Sequence, residues 1–134
     1  MDINNADFWI KIIVSLLCGG IIGFERQLRG KPAGIRTSIL ICLGTQVFVS
    51  HGTALAQGDQ YRVLAQVVTG VGFLGAGAIL HREGGIVAGL TTAASIWAVA
   101  AIGLTAASGL YWLAVLATAL VLLLLRFPER RLKR

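Results

Sequence analysis

The sequence has few charged residues, which make up 13% of its 134 positions against about 25% in an average soluble protein. Acidic residues are the scarcest, with 6 against 12 lysines and arginines. Hydrophobic residues reach 56% and the mean hydropathy is +0.78, which excludes an ordinary soluble domain and indicates an integral membrane protein. The net charge of +6 does not predict nucleic-acid binding, because the basic residues cluster beside apolar segments, as at the cytoplasmic ends of membrane helices.

Cysteine pairs and catalytic motifs are also lacking. Cys18 and Cys42 lie in apolar runs, with no CxxC pair and no histidine at ligand spacing. The sequence therefore predicts buried thiols, with no disulfide framework, metal site or cofactor. It contains no Walker loop, HExxH or GxSxG motif, and the GxGxxG letters at 70–75 follow no predicted strand, so we expect no enzyme.

What the sequence does contain is long apolar segments, which predict an all-α membrane protein folded as a compact bundle of about five helices. Each is close to the roughly 20 residues that a helix needs to cross a bilayer. The fourth is rich in alanine and threonine, so it is either a span or a re-entrant element buried in protein. The predicted helices cover approximately residues 8–24, 37–56, 63–81, 87–106 and 109–125.

Basic residues set the predicted orientation. They concentrate in residues 25–36, at Arg82 and in the tail at 126–134, so we expect the tail in the cytoplasm and the N-terminus outside. The first apolar run follows Asp2 and Asp7 instead of a basic segment, and it has no small-x-small cleavage site. We interpret it as a retained span and not as a signal peptide.

Glycines form the most unusual pattern. Residues 65–80, AQVVTGVGFLGAGAIL, carry four of them. Glycine disfavours a helix in water by about 1 kcal/mol, but in a bilayer it lets another helix approach closely. Ala65, Thr69, Gly72 and Ala76 share one stripe of a helix, with Gly70 and Gly77 on another side, which predicts a helix at the centre of the bundle. The alternative is close approach of an ion or ligand. The predicted helix-packing glycines are Gly19, Gly23, Gly70, Gly72, Gly75, Gly77, Gly89 and Gly103.

The candidate functional residues lie where the predicted helices meet the cytoplasmic face. Ionisable groups at one depth tend to pair, because an unpaired charge in low dielectric is costly. We expect Glu25 to pair with Arg36 or Arg82 under the threonine hydroxyls; the alternative is that each charge reaches the headgroups separately. Gln46 and Gln66 are the polar candidates inside the spans. The cluster at the cytoplasmic face is Glu25, Arg26, Arg36, Thr37, Arg82, Thr91 and Thr92.

Three stretches resemble a known family: GFERQLRGKPAGIRT at 23–37, RVLAQVVTGVGFLGAGAIL at 62–80 and GLTTAASIW at 89–97. In order and spacing they cover essentially the whole chain and are similar to the membrane domain of the MgtC/SapB family. The resemblance implies a bacterial inner-membrane protein linked to low magnesium, acid stress and survival inside host cells, and hence to virulence. Many members carry a soluble C-terminal domain of ACT-like fold, which we do not expect after the basic tail of this sequence.

The resemblance also implies a non-enzymatic regulator of ion or proton homeostasis, because at least one member is understood to restrain the proton-translocating ATP synthase. The expected partners are therefore the lipid bilayer, a second copy of the chain in a homo-oligomer, and a membrane complex such as ATP synthase. The alternative is an oligomeric transporter or channel for magnesium or another cation. Glu25 is surrounded by arginines, so a magnesium path would need several subunits to supply carboxylates.

Overall fold

The computed structural model describes residues 5–55, 59–82 and 86–128. These residues form a helical bundle with one short hairpin, so the five predicted helices are present. Residues 129–134 of the predicted tail lie outside the described residues. The elements are α1 (Ala6–Leu28), α2 (Ile35–Leu55), α3 (Gln60–Gly77), β1 (Leu80–Arg82), β2 (Ile86–Ala88), α4 (Leu90–Ala107) and α5 (Tyr111–Arg126).

The connection between α3 and α4 differs from the prediction. The sequence predicts helix up to residue 81 and again from 87, but α3 ends at Gly77, and β1 pairs with β2 in an antiparallel hairpin. Gly89 then turns the chain into α4 with φ +93, and a Cβ there would collide with the carbonyl oxygen of Ala78. A short apolar run has the same composition in a strand as at a helix end, so periodicity does not distinguish them.

The central helix of the bundle is α4. It contacts each of the four other helices, and half of its apolar stretch is buried, against 28% for α1. The sequence predicts α3 for this position, but the main contacts of α3 are with α2 and α4 alone. The prediction fails because glycine spacing shows which residues share a face of a helix, not whether another helix covers that face.

The core joins α1, α2 and α4 through glycines. A Cβ on Gly19 would lie 2.9 Å from the Cβ of Cys42, and one on Gly23 would lie 2.7 Å from the Cα of Ile35. A Cβ on Gly103 would overlap the carbonyl oxygen of Cys42. Close backbone approach at small residues is typical of helix packing in membranes.

The outer surface of the bundle is apolar. By length and composition, α1 and α4 are each able to cross a membrane. Large apolar side chains are exposed every three or four residues along α1, the side opposite its contacts with α2. Such a continuous patch is rare on soluble monomers, so the surface suits contact with lipid. The exposed residues of this stripe are Ile10, Ile13, Leu17, Ile21, Phe24 and Leu28.

Candidate functional site

The polar cluster where α1 ends and α2 begins, which we call the connector end of the bundle, is built around Arg26. This residue is 2% exposed, and its Nε donates to Oε2 of Glu25 at 2.9 Å. The other oxygen of Glu25, Oε1, lies 2.5 Å from Nε of Arg29. Glu25 therefore pairs with two arginines of its own helix and not with Arg36, which is exposed.

Glu25 pairs with Arg26 and Arg29 because both lie within about one helical turn of it, whereas a pair with Arg36 would have to span the connector. Arg29, at i+4, is a normal ion-pair position on a helix, and it was not among the sequence candidates. The expected pair of Glu25 with Arg82 stays a prediction, because the Arg82 side chain is outside the described part of the chain.

Of the three threonines in the predicted cluster, Thr92 is the buried one. Thr92 is 2% exposed, and its backbone carbonyl accepts from Oγ of Ser95 at 2.7 Å. Within the described residues, no hydrogen bond connects the Thr92 hydroxyl to Glu25 or Arg26. Thr91 is half-buried and Thr37 is exposed. The expected cap of threonine hydroxyls over the ion pair is therefore not formed by Thr92.

The connector itself fixes the position of Arg26. Gly30 has φ +63 and its N–H donates to the carbonyl of Gln27, while the N–H of Lys31 donates to the carbonyl of Arg26. This is a glycine-terminated helix end. Oε1 of Gln27 accepts from the N–H of Ile35 at 3.3 Å and so caps α2. Sequence reasoning missed Gln27, although a polar side chain near a glycine-rich turn is a usual capping signal.

Several buried polar atoms have no hydrogen-bond partner in the described structure. They are Oε1 of Glu25, which has its ion pair with Arg29 but no hydrogen bond, Nη1 of Arg26, Oγ of Ser15 and Oε1 of Gln46. The amide nitrogen of Gln46 donates to Oγ of Ser50 at 3.0 Å, so Gln46 lies in the core and lines neither of the two cavities described next. An unsatisfied buried group costs about 1–3 kcal/mol, and these atoms are therefore possible contact points for water or an ion.

A groove of about 740 Å³ runs between α2, α3 and α4. Gln66 lines it and is exposed; the rest of its wall is mostly apolar. A smaller cavity of about 330 Å³ shares Thr37, Leu74 and Ile96 with the groove and reaches the connector at Pro32. The two cavities are therefore adjacent, and the smaller one lies at the connector end.

The opposite side of α3 carries the small residues noted in the sequence. Ala65, Thr69, Gly72 and Ala76, which we call the small stripe, are all exposed. By helical geometry the small stripe lies about half a turn away from the groove residues of α3. A Cβ on Gly72 would meet no atom within 4 Å. No described helix covers this stripe.

The remaining glycines of α3 also differ in whether another helix lies beside them. A Cβ on Gly75 would make an ordinary contact with Cβ of Ala93 at 3.8 Å, whereas positions Gly70 and Gly77 have nothing within 4 Å. Gly70, Gly72 and Gly77 therefore pack against none of the described helices, in contrast to what the sequence predicts for them.

A second polar contact, at the other end of the bundle, joins α1 to α5. Oδ2 of Asp7 lies 2.8 Å from Nζ of Lys11, and the hydroxyl of Tyr111 donates to Oδ1 of Asp7. The Asp7–Lys11 spacing is a recognisable i,i+4 pair. Tyr111 lies 104 positions away, so no sequence signal points to its role.

The described residues include no group of three or more histidine, cysteine, aspartate or glutamate side chains able to hold a metal ion. Both oxygens of Glu25 are already in contact with arginine. Within a single chain, therefore, the cluster at the connector end suits a negatively charged group better than a cation.

The comparisons with known proteins agree on one family. Residues 12–133 match the MgtC family. A relative in Escherichia coli K12, YhiD, whose name provisionally calls it a magnesium transporter, is 47% identical over an alignment of 130 positions that covers 90% of this chain and 60% of the relative. The MgtC protein of Brucella abortus strain 2308 is 46% identical over 110 residues, 81% of this chain and 45% of the relative.

The MgtC protein of Salmonella typhimurium 14028s is 39% identical over 128 residues, 93% of this chain and 55% of the relative. The chain thus spans between 45% and 60% of the length of these curated relatives. No solved structure matches.

Proposed function

Because the chain belongs to the MgtC family, we propose that it is a non-enzymatic regulator of magnesium-linked ion homeostasis that acts by binding other membrane proteins. In this proposal it lies in the bacterial inner membrane as a multi-pass bundle, with its tail in the cytoplasm. The observation that carries the proposal is the small stripe on α3, which is exposed and lacks a partner helix in the described structure.

The small stripe is suited to a helix of another protein. In a bilayer, lipid tails are as apolar as leucine, so helices associate through close packing at small residues and not through the hydrophobic effect. Ala65, Thr69, Gly72 and Ala76 provide that surface along about three turns of α3. The partner is a second copy of the chain or a membrane complex such as ATP synthase.

The ion pairs of Glu25 support regulation over transport. Magnesium requires near-octahedral oxygen ligands, usually with one or two carboxylates. Arg26 and Arg29 occupy both oxygens of Glu25, so that carboxylate is neutralised within its own helix. A binding role needs no such ligands.

A cation transporter is the second candidate, and two observations favour it. The E. coli relative is named provisionally as a magnesium transporter. In addition, Ser15 and Gln46 present buried oxygen atoms without hydrogen-bond partners in the described structure, and oxygen atoms are the ligands of hydrated cations.

Site-specific photo-cross-linking from Thr69 in native membranes tests the regulator. We expect cross-linked products with a membrane protein, which disappear in Gly72→Leu because the larger side chain blocks close approach. Gly70→Leu is the matched control: it adds the same side chain to the groove side of α3, and it should retain the products. Unchanged products in Gly72→Leu would contradict the proposal.

Magnesium flux into proteoliposomes tests the alternative. The purified chain should show no flux above empty vesicles if it is a regulator. Flux above that background, abolished by Gln46→Ala with folding intact, would replace the regulator with the transporter.

A further inference from the structure

We propose that the groove between α2, α3 and α4 binds one acyl chain of an anionic phospholipid, whose phosphate is held at the connector end by Arg36 and Thr37. This site is separate from the small stripe and does not depend on the partner proposed above. It rests on the length of the groove, the character of its walls and the charge at its mouth.

The length of the groove matches one leaflet of a bilayer. On α2 the lining begins at Thr37 and ends at Phe48, a distance of about 17 Å at the rise of an α-helix. The hydrocarbon core of a bilayer is about 30 Å thick, so one leaflet is about half of that. An acyl chain that begins at the connector end would therefore fill the groove and end near the middle of the membrane.

The walls suit a flexible chain better than a second helix. Leu40, Phe48 and Leu74 line the groove and are all more than half exposed. Positions Gly44 and Gly70 leave open space between them, where an added Cβ would meet nothing within 4 Å. Close helix packing in a bilayer favours small residues at the interface, and α3 has a continuous row of them only on its opposite side, at the small stripe.

The mouth of the groove is positively charged. Arg36 is exposed and lies one turn before the groove residue Leu40, which places it at the edge of the lining face of α2. Glu25 is the nearest described acid in the connector region, and Arg26 and Arg29 already neutralise it. Since α2 begins at Ile35, the positive end of its dipole lies at the connector end, and its first turn contains no acidic residue to offset that charge.

This charge favours an anionic lipid over the other occupants. A zwitterionic lipid would fill the apolar groove equally well but would gain little from Arg36. A second copy of the chain would bring the same basic connector to the mouth, and the like charges would repel. Basic residues at the cytoplasmic surface are typical binding sites for anionic headgroups.

Native mass spectrometry of the full chain, released from detergent with added lipid, tests the site. The probes are dioleoyl phosphatidylglycerol and dioleoyl phosphatidylcholine, which share their acyl chains and differ in charge. We expect one tightly bound phosphatidylglycerol per chain, with an affinity about fivefold above that of phosphatidylcholine, the factor expected for one cation near an anionic surface.

Two kinds of variant separate the contribution of the headgroup to binding from that of the acyl chain. Arg36→Gln should equalise the two lipids without abolishing binding, whereas Gly70→Leu should weaken both by filling the groove. Gly44→Leu fills the groove from α2 and should reproduce Gly70→Leu. Gly72→Leu, on the opposite side of α3, should bind both lipids like the unmodified chain. Circular dichroism of each variant verifies that the bundle is folded.

Three results would overturn the proposal. The first is equal binding of the two lipids by the unmodified chain. The second is an unchanged preference for phosphatidylglycerol in Arg36→Gln. The third is a loss of dimer mass in Gly70→Leu with lipid binding unchanged, which would assign the groove to a second copy of the chain.

Discussion

Two sets of glycines in this bundle have opposite surroundings. Gly19, Gly23 and Gly103 lie where helices touch, and a Cβ at any of them would come within 3 Å of a neighbouring atom. A Cβ on Gly72 or Gly77, which lie on different faces of α3, would meet no atom within 4 Å. The same residue type thus closes the core in one part of the molecule and leaves open space in another.

This difference separates folding from binding. Substitutions in the first set change contacts that the chain makes with itself, so they should act on stability. Substitutions in the second set leave those contacts intact, so they should act only where another molecule is present. The following variants test that separation, from the largest expected effect to the smallest.

Gly103→Leu should have the largest effect on stability. A Cβ at this position overlaps the carbonyl oxygen of Cys42, and α2 cannot move away without losing its contact with Gly19. Overpacking a tight core costs about 1–3 kcal/mol and occasionally more, and because the obstacle here is backbone, we expect this variant to exceed that range. Chemical unfolding in detergent, followed by circular dichroism, measures the loss. Gly77→Leu is the control, and a similar loss there would remove the distinction between the two sets.

Glu25→Gln should have the next largest effect. It leaves the buried guanidinium of Arg26 without its carboxylate, and breaking a buried pair costs about 3–5 kcal/mol. The side chain of Glu25 is 16% exposed, so we expect the lower end of that range. Unfolding in detergent gives the value.

Arg29→Gln is the matched control for Glu25→Gln. The side chain of Arg29 is 42% exposed, and exposed ion pairs contribute about 0–1 kcal/mol. Equal losses in the two variants would mean that Arg26 does not depend on Glu25.

Gly19→Ala should cost less, because it adds a single methyl group. That group would lie 2.9 Å from both the Cβ of Cys42 and the carbonyl oxygen of Ser38, and a loss of about 1–2 kcal/mol is expected for such a contact. The adjacent Gly20→Ala is a precise comparison, since its Cβ would lie 3.5 Å from Ile39, an ordinary contact. If Gly19→Ala and Gly20→Ala lose the same amount of stability, α1 and α2 do not pack in the register that the structure shows.

Sequence reasoning finds the helices of this protein because charged connectors, or the Ser108–Gly109 turn between α4 and α5, interrupt the apolar runs. It does not find which helix is central, because the residues of α3 and α4 show shared faces but not what covers them. It groups Glu25 with Arg26 at one end of the bundle but misses the ion pair of Glu25 with Arg29, since a local arginine at i+4 competes with every distant one. Tyr111, which binds Asp7 across the bundle, depends on the packed structure and has no local signal.

Gly72→Ala should have the smallest effect of the series on stability. Nothing lies within 4 Å of the new methyl group, so no contact is lost, and alanine is favoured over glycine in a helix by about 1 kcal/mol. We therefore expect unchanged or slightly higher stability in detergent, measured by unfolding. In native membranes the same variant should weaken the cross-links from Thr69, because a methyl group keeps a partner helix further away. A loss of stability in detergent would instead mean that the small stripe is already covered within the chain, and that the open side of the bundle is part of its core.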